Sequence, residues 1–120
     1  MGDNGFVELN DIDELKSLIN DSGRSPLVIF KHSVTCPISM NAFREMTQFQ
    51  AQNTEQATLR MIVVQRARAV SDAVEGALGV RHESPQVILV RSGKVVWHES
   101  HYDVTSENLL DAIKDLGDLG

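Results

Sequence analysis

The residues best suited to chemistry form one short stretch around the only cysteine of the chain. Cys36 lies where a continuous apolar run, residues 27–30, gives way to apolar residues at helical spacing. A thiol there is predicted to cap a helix N-terminus, where backbone N–H groups have no intrahelical partner and the helix dipole favours negative charge. Both effects lower the pKa of a thiol, so Cys36 is the candidate nucleophile of a thiol–disulfide exchange.

The neighbours of the cysteine are expected to support it. Pro37 suits the first helical position, because its missing N–H costs nothing there. Ser39 follows one helical turn after Cys36, and its hydroxyl can donate to the thiolate without competing as a nucleophile. Thr35 and Ile38 are expected to form the rim of the site, although plain turn packing explains them equally well.

The chemistry is limited to one thiol, because a serine stands three residues after the cysteine, where a dithiol oxidoreductase has its second cysteine. With no other cysteine in the chain, no internal disulfide can resolve a reaction at Cys36. The only complete cycle therefore uses an external thiol. The alternative interpretation of Cys36 is a buried structural cysteine, which is common in protein cores.

Composition and charge exclude several classes of function. The chain has 120 residues, 42% of them hydrophobic and 23% charged, as in a soluble globular protein. We expect one domain over residues 1–120, with its core within residues 6–116. The net charge of −6, with no basic block, argues against nucleic-acid binding. No apolar run approaches about 18 residues, so no membrane span is predicted.

The N-terminus and the cysteine content indicate a compartment. Residues 1–5 are polar and acidic, unlike a secretory signal peptide. Because a single cysteine makes no internal disulfide, we expect a cytoplasmic protein in a reducing environment. We also expect a monomer.

Hydrophobic periodicity predicts the order α, β, α, β, α, β, β, α. Helices are predicted over about 11–21 with Asp11 as N-cap, over 37–51, over a short stretch capped by Ser71 and ended by Gly79, and after Thr105. Strands are predicted at 27–30, 59–64, 87–90 and 94–99. Residues 6–9 are either a short edge strand or a lead-in. The fold class is therefore α/β, with a mixed sheet of four or five strands and about four flanking helices.

Several side chains receive structural interpretations. The inner faces of the second and third helices are predicted to be Ile38, Ala42, Met46 and Phe49, and Val74, Ala77 and Leu78. Trp97 alternates with Val95 and is predicted to belong to the core. His98, Glu99 and His101 are potential metal ligands, but residues three apart on a strand point to opposite faces, so no metal site is expected.

The element order and three motifs resemble the thioredoxin fold over residues 6–116. The motifs are Cys36-Pro37-Ile38-Ser39 at a helix start, Ser84-Pro85 before strand 87–90, and the hairpin turn Ser92-Gly93-Lys94. In that superfamily a cis proline precedes the third main strand and faces the active cysteine, and the corresponding residue here is Pro85. The resemblance implies that Ser84 and Pro85 bind an extended ligand through the backbone. A simple loop proline is the alternative.

Within that superfamily, Thr35-Cys36-Pro37-Ile38-Ser39 resembles the TCPIS active site of the monothiol bacilliredoxins. The resemblance implies removal of bacillithiol from S-bacillithiolated client proteins, with a Cys36–bacillithiol mixed disulfide that a second thiol resolves. It also implies bacillithiol as co-substrate, no tightly bound cofactor and, indirectly, a flavin-dependent bacillithiol disulfide reductase.

Two residues before the active turn are further candidates. Lys31 and His32 are expected either to add positive charge near the sulfur or to meet the malate carboxylates of bacillithiol. In related glutaredoxins an upstream lysine contacts a ligand carboxylate, which makes Lys31 the substrate-binding candidate. A solvated pair at the strand end is the alternative.

A second class of function is a carrier or binding module. In it, Cys36 and a bacillithiol thiolate ligate an iron–sulfur cluster shared across a dimer. Monothiol relatives in the glutaredoxin branch do this with a Gly-Phe pair where this chain has Pro37-Ile38, and that departure disfavours the carrier. A redox-inactive scaffold is the third interpretation.

Overall fold

The computed structural model describes residues 6–53 and 57–119, and its elements follow the predicted order. The helices are Ile12–Asn20 (α1), Pro37–Gln52 (α2), Arg68–Leu78 (α3) and Ser106–Leu119 (α4). The strands are Leu27–His32 (β1), Thr58–Val63 (β2), Gln86–Arg91 (β3) and Lys94–Ser100 (β4). Short 3-10 turns follow α1 and β4, at Asp21–Gly23 and His101–Asp103. Residues 1–5, 54–56 and 120 of the predicted domain lie outside the described residues.

The strands form one mixed sheet in the order β2-β1-β3-β4. β1 is parallel to β2 and antiparallel to β3, and β4 is antiparallel to β3. Residues 6–9 contribute only an isolated parallel bridge between Glu8 and Met61, with the N–H of Leu9 donating to the Met61 carbonyl at 2.8 Å. The segment is therefore a lead-in that touches the β2 edge.

β1 is buried along its whole length between two layers of helices. Val28 and Phe30 belong to the apolar cluster that includes residues of α2 and α4, whereas Leu27 and Ile29 belong to the cluster that includes residues of α1 and α3. Successive residues of the strand thus point to opposite layers. The unbroken apolar run predicted such a strand, covered on both faces. Trp97 packs against the first cluster, as predicted.

Two helix ends are built as predicted. An Asp11 carboxylate oxygen accepts from the N–H of Asp13 at 3.3 Å and caps α1. The Thr105 hydroxyl accepts from the N–H of Asn108 at 3.1 Å and caps α4. Each side-chain oxygen satisfies one of the N–H groups that a helix start leaves without an intrahelical partner.

The predicted start of α3 was wrong by one turn. The helix begins at Arg68, and Ser71 is buried inside it, with its N–H donating to the Ala67 carbonyl at 3.0 Å. The inner face of the helix follows Val70 and Val74, and Ala77 is exposed rather than inward. The predicted end is confirmed, since Gly79 adopts a left-handed conformation with φ of 73°.

The inner face of α2 also differs in one position. Its buried residues are Ser39, Ala42, Met46 and Phe49, whereas Ile38 is only half-buried. Residues 38 and 39 both fit the helical spacing from Ala42, so the apolar side chain misled the prediction. The buried serine places a hydroxyl, rather than a methyl group, beneath the start of the helix.

Candidate active site

Cys36 is the N-cap of α2, at the edge of the sheet where β1 ends. Its backbone is extended and its side chain is half-buried, while its carbonyl accepts from the N–H groups of Ser39 at 3.0 Å and Met40 at 3.3 Å. Pro37 occupies the first turn of the helix, as predicted. The sulfur is therefore attached beside the first N–H groups of the helix, one of which, that of Ser39, also donates to the Cys36 carbonyl.

The surroundings of the sulfur lower the pKa of the Cys36 thiol below its ordinary value. The largest cause is the backbone N–H of Ser39. Desolvation, the second largest, opposes it, and the N–H of Ile38 and the Ser39 hydroxyl add to the lowering. Because a thiol becomes negative on losing its proton, hydrogen bonds to the sulfur favour its ionised form. The half-buried thiol is thus poised as a nucleophile.

The fully buried hydroxyl of Ser39 joins the helix start to the end of β1. Its oxygen accepts from the N–H of Ser33 at 3.2 Å. That contact occupies a lone pair and leaves the hydroxyl proton for the Cys36 sulfur. A serine at this position therefore contributes to the thiolate environment and to the geometry of the turn.

The turn that carries the sulfur, residues 33–36, is held by Gln65, which sequence analysis missed. The Gln65 amide nitrogen donates to the hydroxyls of Ser33 at 2.8 Å and Thr35 at 3.3 Å, and its oxygen accepts from the N–H of Val34 at 3.2 Å. We call residues 33–36 the Cys36 turn. No local pattern announces these bonds, because Gln65 is far from the turn in sequence.

His32 ends β1 and packs beneath α2. Its ring lies 5.1 Å from the ring of Phe43 and 5.6 Å from that of Phe30. Burial lowers the pKa of His32, a hydrogen bond with the backbone of Ser39 opposes that effect, and the charge of Arg66 adds to it. The neutral ring is favoured, so the expectation that His32 adds positive charge near the sulfur is not supported.

Lys31 is a buried residue and not an exposed one at the strand end, and this position does not favour the predicted ligand contact. Its side chain is fully buried, and its ammonium donates to the carbonyl of Ser71 at 3.1 Å and lies 3.1 Å from Nδ1 of His82. The Ser71 hydroxyl oxygen is 3.3 Å from the same nitrogen. We call these three residues the Lys31–His82 cluster. The alternation of β1 directs Lys31 toward α3, where its side chain is shielded from solvent.

The Ser84–Pro85 peptide bond is cis and lies at the same sheet edge as the cysteine. Lys31 pairs with Gln86 across β1 and β3, so Pro85 comes next to the end of β1 from which the Cys36 turn departs. Pro85 is buried and its carbonyl accepts from the N–H of His101 at 2.9 Å. The hydroxyl of Ser84 is buried with no hydrogen-bond partner among the described residues.

Two further searches cover the described part of the chain, residues 6–53 and 57–119. Within it, no three His, Cys, Asp or Glu side chains are grouped so that they could hold a metal ion. None of the helices in those ranges is long and apolar enough to cross a bilayer.

Comparison with known proteins decides the family. The family model of the monothiol bacilliredoxin BrxC matches residues 7–109. The chain belongs to the monothiol bacilliredoxin family. Its fold agrees with that of a solved candidate oxidoreductase with a thioredoxin fold, at 31% identity and a TM-score of 0.78, over 88% of this chain and 91% of that one.

More distant structures extend the likeness of this bacilliredoxin-family chain to thioredoxins. Thioredoxin from Trypanosoma brucei brucei matches with a TM-score of 0.77 at 13% identity, over 96% of this chain and 93% of that one. Thioredoxin from Fasciola hepatica matches with a TM-score of 0.72 at 15% identity, over 92% and 98%. At such identities only the fold is shared. Family and fold together support a thiol redox function.

The structure brings together most of the residues that the sequence singled out in this family member. Thr35, Cys36, Pro37 and Ile38 surround the start of α2, and Ser39 lies beneath it. Thr35 is exposed and Ile38 is half-buried, and their role as a rim stays a prediction. Ser84 and Pro85 join them at the same edge of the sheet, whereas Lys31 lies in the opposite layer.

Proposed function

We propose that the protein removes bacillithiol from S-bacillithiolated client proteins, with Cys36 as the nucleophile. The observation that carries the proposal is a half-buried thiol at a helix N-terminus whose pKa is lowered by hydrogen bonds from that terminus. The chain has no second cysteine, so an external thiol must complete the cycle.

The first step is an exchange at sulfur. The Cys36 thiolate attacks the bacillithiol sulfur of the client mixed disulfide, a Cys36–bacillithiol disulfide forms, and the client sulfur leaves as a thiolate that takes a proton from water. A bacillithiol thiolate then attacks the bacillithiol sulfur on Cys36, and Cys36 leaves as a thiolate. The products are the reduced client and bacillithiol disulfide, and the number of disulfide bonds is conserved in each step.

The lowered pKa assists both steps. It raises the fraction of Cys36 that is thiolate before the attack, and it makes Cys36 a better leaving group when the second thiol arrives. The hydrogen bonds from the N–H groups of Ser39 and Ile38 serve each of these roles, since they stabilise negative charge on the same sulfur.

The edge beside Ser84 and Pro85 is the proposed binding surface for the client segment. An extended peptide can pair with free backbone groups, and those of Ser84 are the candidates, because the Pro85 carbonyl already accepts from His101. We further propose a monomer in the cytoplasm, with bacillithiol as co-substrate, no tightly bound cofactor, and a flavin-dependent reductase that regenerates bacillithiol from its disulfide.

The test is transfer of mass from a client to this protein. A bacillithiolated client is incubated at pH 7 with an excess of the reduced protein, and both are followed by intact mass spectrometry. We expect the client to lose one bacillithiol and the protein to gain one, with added bacillithiol later restoring free Cys36. A client that stays modified under these conditions would remove the proposed activity.

The matched control is Cys36→Ser, which preserves the helix start and removes the sulfur. It is expected to leave the client modified. Glutathionylated client in parallel tests the preference for bacillithiol: equal rates would keep the exchange chemistry and remove its specificity. The iron–sulfur alternative has its own signature, because a cluster carrier purified aerobically would be brown.

A further inference from the structure

Gln65 joins the end of β2 to the loop that carries the active cysteine. Its carboxamide bonds to three consecutive residues of the Cys36 turn: the nitrogen to the hydroxyls of Ser33 and Thr35, at 2.8 and 3.3 Å, and the oxygen to the N–H of Val34, at 3.2 Å. One donor and one acceptor group are thus both directed at the turn. This is the full hydrogen-bonding capacity of an amide except for one lone pair.

The backbone on both sides of Gln65 is fixed independently of the turn. The N–H of Val64 donates to the His32 carbonyl at 2.9 Å, which continues the pairing of β1 with β2. The N–H groups of Arg66 and Ala67 both donate to the Val63 carbonyl at 2.9 Å. Gln65 therefore stands on the rigid sheet edge and restrains a neighbouring loop from outside.

The Cys36 turn has few strong contacts of its own. Its closing backbone bond, from the N–H of Cys36 to the Ser33 carbonyl, is long at 3.4 Å. Thr35 and Val34 are exposed, so they are not held by packing. The Ser33 and Thr35 hydroxyl oxygens are 3.3 Å apart, close enough for one amide group to reach both.

We propose that Gln65 is a positioning residue for Cys36. By holding Ser33, Val34 and Thr35 against the sheet edge, it fixes the direction in which the sulfur leaves the chain, and so keeps the sulfur within reach of the Ser39 and Ile38 N–H groups. Hydrogen bonds weaken steeply when donor and acceptor lose alignment, so a mobile turn would lose part of the stabilisation of the thiolate. The inference deepens the proposed function, on which it rests for its biological meaning.

The first test replaces Gln65 with methionine, which has a similar length and neither amide group. Iodoacetamide alkylation of Cys36 is measured from about pH 4 to 9, and it reports the thiolate fraction. In Q65M we expect the titration curve to move upward in pH and the rate at pH 7 to fall about twofold. Q48M, the same substitution at an exposed site on α2, should follow the wild type.

The second variant, Q65E, separates loss of the hydrogen bonds to the Cys36 turn from the effect of an added charge. A glutamate still accepts from the Val34 N–H, and the two hydroxyls can rotate to donate to it. Its negative charge near the sulfur should raise the pKa of Cys36, and salt should screen that effect. The alkylation deficit of Q65E is therefore expected to shrink in about 0.5 M salt, whereas that of Q65M should persist.

A double-mutant cycle with Ser33→Ala identifies the contact. If the two side chains act through one bond, the alkylation rate of Q65M/S33A should be close to that of Q65M rather than the product of the two single effects. Melting curves of all variants show whether any loss of reactivity follows from unfolding. If Q65M does not fold, S33A decides the question, because it removes the shortest bond between Gln65 and the turn, and an S33A alkylation curve that superimposes on that of the wild type would then overturn the inference.

The inference is overturned if Q65M folds and its alkylation curve superimposes on that of the wild type, whatever the salt dependence of Q65E. Alkylation needs no bacillithiol, so its outcome is separate from that of the transfer experiment. A Q65M deficit together with a wild type that takes up no bacillithiol would keep the positioning role and remove the proposed activity. A Q65M without an alkylation deficit, together with a wild type that does take up bacillithiol, would remove the positioning role and keep the proposed activity.

Discussion

The Cys36 turn and the Lys31–His82 cluster lie on either side of the same strand and treat ionisable groups in opposite ways. At the turn, N–H donors from a helix start face the sulfur and lower the pKa of an acid, which favours its charged form. In the cluster, desolvation is the largest cause that lowers the pKa of both Lys31 and His82, which are bases, and favours their neutral forms. The Cys36 turn therefore stabilises a charged group, whereas the Lys31–His82 cluster disfavours charge on its two bases.

The difference arises from the alternation of β1. His32 and Lys31 are adjacent, yet the first points toward α2 and the second toward α3. The chain then leaves the sheet and reaches Cys36 at the mouth of α2, where solvent and helix N–H groups are both available. Lys31 is therefore close to Cys36 in sequence but does not stabilise its thiolate. Backbone dipoles at the helix start do so instead.

The largest effect, a slower alkylation of Cys36, is expected from Ser39→Ala, which changes the surroundings of the sulfur at the Cys36 turn. The substitution removes the hydroxyl that helps lower the pKa of Cys36 and that accepts from the Ser33 N–H. The backbone N–H of residue 39, the largest cause, remains. We expect the alkylation rate at pH 7 to fall about threefold, measured with iodoacetamide. Thr47→Ala, at an exposed position of α2, is the control, and equal rates in the two variants would contradict the role of the hydroxyl.

An intermediate effect, on the free energy of unfolding, is expected from Lys31→Met, which changes the Lys31–His82 cluster. Methionine fills a similar volume without a charge to desolvate, and the Ser71 hydroxyl can still donate to His82. Urea unfolding at pH 7 should show a free energy of unfolding that is unchanged or increased by about 1 kcal/mol, since removing a buried charge is often neutral or stabilising. Alkylation of Cys36 should stay within about twofold of wild type.

Two results would contradict this prediction for Lys31. A loss of more than about 2 kcal/mol would mean that the hydrogen bonds of the ammonium outweigh its desolvation. A normal alkylation rate with a selective loss of bacillithiol transfer would restore Lys31 as a ligand contact, and would imply that the cluster opens during the reaction.

The sequence predicted the turn better than the cluster because the turn is local. Cys36, Pro37 and the apolar spacing of α2 lie within a few helical turns, and short-range rules place them. Lys31 and His82 are 51 residues apart, and Gln65 lies 30 residues from Thr35, so only the folded sheet brings each pair together. The apolar run of β1 predicted a strand buried on both faces. It did not predict that Lys31, the next residue, is buried too, because charged residues are usually exposed.

The smallest expected effect is a loss of folding stability at acidic pH that comes from His82 in the cluster. Desolvation lowers the pKa of His82, the charge of Lys31 adds to that effect, and Glu75 and Asp72 oppose it, with Arg68 a further lowering charge. A base with a lowered pKa in the folded state binds fewer protons than the unfolded chain over the interval between the two values. Stability is therefore retained above the unfolded value of 6.5 and declines as the pH falls from 6.5 through the folded pKa.

His82→Asn isolates this contribution, because the asparagine side-chain oxygen can replace Nδ1 as the acceptor for Lys31 and Ser71 without titrating. Urea midpoints at about pH 7.5 and pH 5 give the loss of stability on acidification. We expect the loss to be smaller in H82N than in wild type and unchanged in H98N, whose histidine is exposed on β4. His32, which is buried, is a second base with a lowered pKa and remains in all three proteins, so some acid sensitivity should persist in H82N. An identical loss in H82N and wild type would place the sensitivity at the Cys36 side of the sheet, where His32 lies, and not in the cluster.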